Sequence, residues 1–166
     1  SLSVTAAPST VNSGQTFTVI MAVSNNGGAV ALSATPSGLL QVGSGGALLL
    51  APISQSPQDI TKGSPGLFTW TYSAVGTGSI SFQANVTATD ENSGLAVSAG
   101  PASSNNVQIQ VPATLSVSSF SAAPTTIGTG SEITVAMTIR NDGTSAASNL
   151  SPTALWSNGV GMSLIG

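Results

Sequence analysis

Residues 6–27 read AAPSTVNSGQTFTVIMAVSNNG, and residues 122–143 read AAPTTIGTGSEITVAMTIRNDG. The offset is constant at 116 positions, from Pro8 to Pro124 and from Asn25 to Asn141, and 10 of the 22 aligned positions are identical. Within both copies, apolar side chains recur at every second position. They are Phe17, Val19, Met21 and Val23 in the first, and Ile133, Val135, Met137 and Ile139 in the second. A period of two lines one face of a β-strand and leaves the other polar. A half-buried strand that returns after 116 residues confines the chain to a series of β units. The expected division is one complete unit over 1–112 and the opening of a second over 113–166.

Other segments have the same character. Ile80, Phe82, Ala84, Val86 and Ala88 alternate with Ser81, Gln83, Asn85, Thr87 and Thr89. Phe68, Trp70 and Tyr72 share one face of a further strand. Turn-forming clusters fall between these runs, at 12–14, 25–28, 43–46, 76–78 and 90–94. Short strands separated in this way predict an all-β antiparallel sandwich. Trp70 reads as the bulky plug of its core, with an aromatic sugar platform as the alternative. Val107, Ile109 and Val111 run in phase with Leu115 and Val117 across only Pro112-Ala113-Thr114. So short a proline-containing link predicts a stiff junction and a rod-like series of units. The stretch 38–63, with Leu48-Leu49-Leu50, has no clear place in the pattern.

Composition removes whole classes of function. Charged residues are 4% of the chain, and Lys62 and Arg140 are the only cations. No basic patch exists to displace counterions from nucleic acid, or to hold an anionic membrane surface. No apolar run approaches the ~20 residues that span a bilayer. Histidine and cysteine are absent, which excludes Ser-His-Asp and Cys-His nucleophiles and the common zinc sites. Lys62 lies in a Gly/Pro turn and reads as a solvated charge. Of the acidic residues Asp59, Asp90, Glu91, Glu132 and Asp142, only Asp90 and Glu91 are neighbours, and adjacent strand positions point to opposite faces. Asp90-Glu91-Asn92-Ser93-Gly94 lacks the ligand series of a calcium loop and reads as a plain hairpin turn. No cofactor, metal or catalytic residue is expected. With a net charge of −3, little repulsion keeps copies apart, which favours self-association.

The segments Ala7-Pro8-Ser9-Thr10-Val11, Ser13-Gly14-Gln15-Thr16-Phe17-Thr18-Val19 and Val23-Ser24-Asn25-Asn26-Gly27 form an opening that recurs through Asn141-Asp142-Gly143. This opening resembles that of bacterial and archaeal immunoglobulin-like surface repeats, particularly the CARDB type of cell-adhesion-related domain. In those repeats a proline-led loop precedes a strand that starts at a "GQ" or "GS" turn and ends in an "NxG" hairpin. Gly78 to Phe82 and Thr87 to Asp90 are similar to their penultimate strand. The resemblance implies an immunoglobulin-like sandwich, one domain plus the first half of a second, at a prokaryotic cell surface. It says little about function, because sandwiches host many roles.

Half a sandwich leaves an apolar face and strand edges open. Three completions are conceivable: further chain beyond Gly166, folding of the half-unit onto the first unit, or strands of a neighbouring copy. The expected function is a structural subunit of an extracellular filament, stalk or sheath, built through β-strand and hydrophobic contacts. The alternative is an adhesion or carbohydrate-binding module of a larger multi-repeat surface protein. Ile20, apolar on an outward face, is a candidate contact with another subunit, or simply an exposed side chain. Trp156 is a candidate contact for a subunit or glycan, against a core or junction role. Asn85-Val86-Thr87 and Asn149-Leu150-Ser151 are glycosylation sequons, with Asn85 expected to face outward.

Overall fold

The computed structural model describes residues 1–51 and 56–153, all strand and connection with no helix among them. Thirteen strands follow in order: β1 (Leu2–Ala7), β2 (Thr10–Asn12), β3 (Thr16–Ser24), β4 (Ala31–Pro36), β5 (Leu40–Gly43), β6 (Gly46–Ala51), β7 (Gln58–Ile60), β8 (Pro65–Val75), β9 (Gly78–Asp90), β10 (Ala96–Ser103), β11 (Val107–Gln110), β12 (Leu115–Ala123) and β13 (Thr134–Asn141). The first eleven make two sheets. The first sheet runs β1-β3-β8-β6. The second runs β2-β11-β9-β4-β7, with β10 and β5 also paired to the long strand β9. Strands β12 and β13 form a separate hairpin.

The alternation read from sequence decides which side chains meet between the layers. Phe17, Val19, Met21 and Val23 of β3 and Phe68, Trp70, Tyr72 and Ala74 of β8 are buried. Ile80, Phe82, Ala84 and Val86 of β9 face them, with Val107 and Ile109 of β11. Phe17, Tyr72 and Phe82 meet at the centre, with ring centroids 4.9 Å apart for Tyr72–Phe82 and 5.8 Å for Phe17–Tyr72. Trp70 is a core residue, so its face is closed to any sugar. Among the described residues the core contains no buried polar or charged residue. Burial of each large apolar side chain contributes about 1.5–3 kcal/mol, and this set supplies the main drive to fold.

Strands β8 and β9 lie in different sheets and are joined by the short turn Gly76-Thr77-Gly78. Gly78 has φ +122°, and a Cβ there would press on Ser44 and on Gly45 N. The two glycines therefore let the chain leave one sheet and enter the other at once.

One local expectation is corrected and two details are added. Asn25-Asn26-Gly27 is not a hairpin, because β3 ends in the first sheet and β4 belongs to the second. The Asn25 amide instead organises a crossover, accepting from Gly27 N (2.9 Å) and donating to Ala29 O (2.7 Å) and Ile60 O (2.9 Å). The sandwich is not purely antiparallel, since β2 runs parallel to β11. The described residues of 38–63 hold three strands: β5 on β9, β6 on β8 and β7 on β4.

Candidate assembly surface

The hairpin β12–β13 repeats the pair β1–β3. Ser3 lies opposite Ala22 and Val4 opposite Met21; 116 residues on, Ser119 lies opposite Thr138 and Phe120 opposite Met137. The register holds through Ala123 and Thr134. A bulge at Ser118, whose hydroxyl donates to Thr138 O, then shifts the remaining pairs by one. The entry turns also match, with φ +86° at Gly14 and +85° at Gly130.

What differs is the cover. Val4, Val19, Met21 and Val23 are 5%, 0%, 0% and 7% exposed, whereas their counterparts Phe120, Val135, Met137 and Ile139 are 59%, 38%, 39% and 38% exposed. Val11 is buried and its counterpart Ile127 is exposed. In the first unit β8 pairs along the whole of β3, from Thr16–Ser73 to Ser24–Pro65, and β9 packs over its face. Among the described residues nothing pairs with the second edge of β13, whose only partner is β12.

The edges of the complete sandwich are treated differently. Asn105 presents its carboxamide to Ala6 on the free side of β1, accepting from Ala6 N (2.9 Å) and donating to Ala6 O (3.0 Å). Gln41 does the same for Ala47 on the free side of β6, at 3.1 Å from N and 2.8 Å to O. A carboxamide has the donor and acceptor of a peptide group, so each mimics one residue of a missing strand. Each satisfies the outward peptide groups of one residue on an edge of the first sheet, which disfavours pairing with another strand there.

The hairpin is tied to the end of the sandwich. Val111 N–H donates to Thr144 Oγ1 (2.7 Å), and Val111 O accepts from Thr144 N (3.1 Å) and Ser145 N (3.0 Å). Ser145 Oγ lies between Asn12 Oδ1 and Gln110 Oε1. Gly143 backs onto Pro112, where a Cβ would overlap the Pro112 carbonyl. Asn141 repeats the turn chemistry of Asn25, accepting from Gly143 N and donating to Ser145 O.

The residues singled out from sequence are scattered. Ile20 is 37% exposed on the outer face of the first sheet, between Thr5 and Thr69. Asn85 is exposed on β9. It stands where β10 is interrupted between Ala99 and Ala102, and its backbone bonds to Ser37. Asn149 is exposed, with φ +56°. Trp156 lies outside the described residues. Asp90 Oδ1 accepts from Asn92 N, Ser93 N and Ser93 Oγ, and these bonds, the Ser93 amide foremost, hold its carboxyl below the ordinary aspartate range. That oxygen is committed to closing the turn. Burial pushes the Tyr72 phenol up, as expected for a core residue. A cleft of about 190 Å³ between the sheets opens near Ser1, Asn26, Ala34, Ile60 and Val86. It is lined by small, uncharged side chains and offers no pair of groups for acid–base chemistry.

The sequence missed both carboxamide plugs, since Asn105 and Gln41 carry no motif and act only through the fold. It also missed the Thr144–Val111 clamp, for which a hydroxyl beside the NDG turn was the only signal. No family model matches the chain, and no curated protein matches it.

Proposed function

We propose that the protein is a structural module of an extracellular filament or cell-surface stalk, in which immunoglobulin-like units follow one another in a stiff series. The carrying observation is the contrast between equivalent side chains, buried in the first unit and open in the hairpin. Four open positions, each forgoing part of about 1.5–3 kcal/mol, favour coverage by another β unit. Two further features support the reading. The Val111–Thr144–Ser145 clamp restrains the angle between successive units, as a rod requires. A chain that is 4% charged offers little repulsion to close contact between copies.

The test is the state of the purified chain. Sedimentation between micromolar and near-millimolar concentration, with electron microscopy of the concentrated sample, should show association into linear particles. Met137→Asp should disperse them while the near-ultraviolet spectrum of the sandwich is retained. A strictly monomeric chain across that range refutes assembly through this face.

A further inference from the structure

Going beyond that reading, we propose the partner of the free edge of β13: the β13 strand of a second copy of this chain, paired antiparallel about a two-fold axis at Ala136. Each Glu132 then lies opposite Arg140 of the other copy.

The peptide groups narrow the choice of pairing. Asp142 N–H donates to Thr114 O (2.8 Å), on the β12 side. Strand β13 pairs without interruption from Thr134 to Asn141. Alternation therefore turns the even-numbered peptide groups to β12 and those of Val135, Met137 and Ile139 to the free edge. A second β13 bonds there only where odd-numbered residues lie opposite odd-numbered ones. That condition also keeps the apolar faces of both hairpins on the same side of one continuous sheet.

Charge then selects the register. With Met137 opposite itself, Glu132 would lie opposite Asp142, like against like. With Ala136 opposite itself, Glu132 lies opposite Arg140, Ile133 opposite Ile139, Thr134 opposite Thr138 and Val135 opposite Met137, each pair occurring twice by symmetry. Opposite charges across paired strands stabilise them and like charges destabilise them. The polar-face pairs are the non-hydrogen-bonded ones, in which side chains approach more closely, and the smallest of these residues, Ala136, sits on the axis. The Arg140 side chain is 74% exposed while it touches Asp142, so it has room for a second carboxylate.

The first unit lacks these charges. The positions equivalent to Glu132 and Arg140 are Thr16 and Ser24, and their edge is taken by β8, which carries no charged residue. A strand like β8 on β13 would leave Glu132 and Arg140 without counter-charges. Thr16 and Phe17 are strand residues, whereas Glu132 and Ile133 lead into β13 and join it on pairing. Charges that guard an edge repel an incoming copy; Glu132 and Arg140, opposite in sign and equidistant from Ala136, attract one. The pair closes on itself and leaves the joined apolar face uncovered, so lengthwise growth uses a different contact.

The test is charge reversal with remixing, on the full chain. Sedimentation up to near-millimolar concentration should show dimers that weaken as salt is raised. Glu132→Arg and Arg140→Glu should each weaken dimerisation about tenfold or more, because each sets like charges opposite at both ends. A 1:1 mixture of the two variants should recover it, because every facing pair is again of opposite sign; damage to the hairpin would not be rescued by mixing. The chain has no cysteine, so disulfide capture reads the register. Ala136→Cys should link to its own copy, since the Cα atoms of a non-hydrogen-bonded pair are about 4.5 Å apart, within disulfide reach. Thr138→Cys alone should not, lying roughly 14 Å from its own copy along the strands, whereas a mixture of Thr134→Cys and Thr138→Cys should link. The pairing is overturned if the unaltered chain stays monomeric and Ala136→Cys does not link. It is equally overturned if the mixed charge variants stay apart, or if Thr138→Cys links to itself as readily as Ala136→Cys. Linear particles without the Ala136→Cys link refute the pairing and leave the filament reading standing. Linked dimers with no longer particles refute the filament reading and leave the pairing standing.

Discussion

Met21 and Met137 occupy equivalent positions, opposite Val4 and Phe120 respectively, with opposite cover, so the same substitution at each tests the effect of environment. Met21 is 0% exposed between the sheets. Truncation to alanine removes three heavy atoms from a closed core, and buried methionine-to-alanine changes cost about 2–5 kcal/mol, including the cavity left behind. Taking about 3 kcal/mol and a urea slope of about 1.5 kcal/mol per molar for a domain of this size, the midpoint for Met21→Ala should fall by about 2 M. Trp70, buried against the same core, reports the transition by fluorescence, best in a Trp156→Phe background. Met137 is 39% exposed on the hairpin. In dilute solution Met137→Ala should move neither that midpoint nor the amide exchange of 134–141 by more than about 0.5 kcal/mol, as at other half-open surface positions. Under associating conditions the same change should weaken self-association by about thirty-fold, equivalent to about 2 kcal/mol. If Met137→Ala costs as much as Met21→Ala in the dilute monomer, the chain covers its own hairpin and the contrast in burial on which the argument rests is wrong.

Thr144→Val removes the hydroxyl that accepts from Val111 N–H. A lost hydrogen bond of this kind costs about 1 kcal/mol, so exchange of the Val111 amide should quicken several-fold while the sandwich midpoint stays fixed. Gln41→Ala frees the peptide groups of Ala47 on β6, and should raise the aggregation rate measured by light scattering; an unchanged rate would show that the carboxamide does not guard the edge. Asp90 has a depressed carboxyl pKa, so its turn is stabilised above the ordinary aspartate value and loses that contribution as pH falls through the lower, folded value. Carbon-detected NMR should place the Asp90 titration below that of an unstructured aspartate, and Ser93→Ala should raise it.

Much of the sandwich was legible because its strands bury one face only. Period-two alternation then forces Phe17, Val19 and Met21 inward without any knowledge of the partner strand. The same logic correctly read Phe68, Trp70 and Tyr72. It failed over 38–63, where β5 and β6 are edge strands with exposed Leu40, Val42, Leu48 and Leu50. Such strands are fixed by their hydrogen-bonded neighbours, and no one-sided burial pattern marks them. It failed again at Asn25-Asn26-Gly27, because the dipeptide chemistry of a tight turn is shared by hairpins and by crossovers between sheets. Only the pairing of β4 with β9 distinguishes the two. The hairpin was readable as a repeat, and its uncovered face as an expectation for half a sandwich, but the choice among completions was not, since alternation states which face is apolar and never what covers it.

Charge poverty explains why this chain guards its edges as it does. Lysines on exposed strands are the usual defence against edge-to-edge pairing, yet here Lys62 and Arg140 are the only cations. Neither lies on β1 or β6. A neutral guard has to match the backbone group for group, and the carboxamide does so by offering one donor and one acceptor at peptide spacing. Asn105 and Gln41 each reach from a segment of the opposite side of the sandwich, so a guard forms only once both layers are in place. The hairpin β12–β13 has no second layer among the described residues, and accordingly no segment from which such a side chain can reach β13. Among the described residues a bare edge and an uncovered face are thus one condition seen twice, and in the first unit the single β8–β9 arch relieves both for β3. An isolated strand would close the edge and leave Phe120 and Met137 wet, while a layer without the strand would cover the face and leave the backbone unpaired.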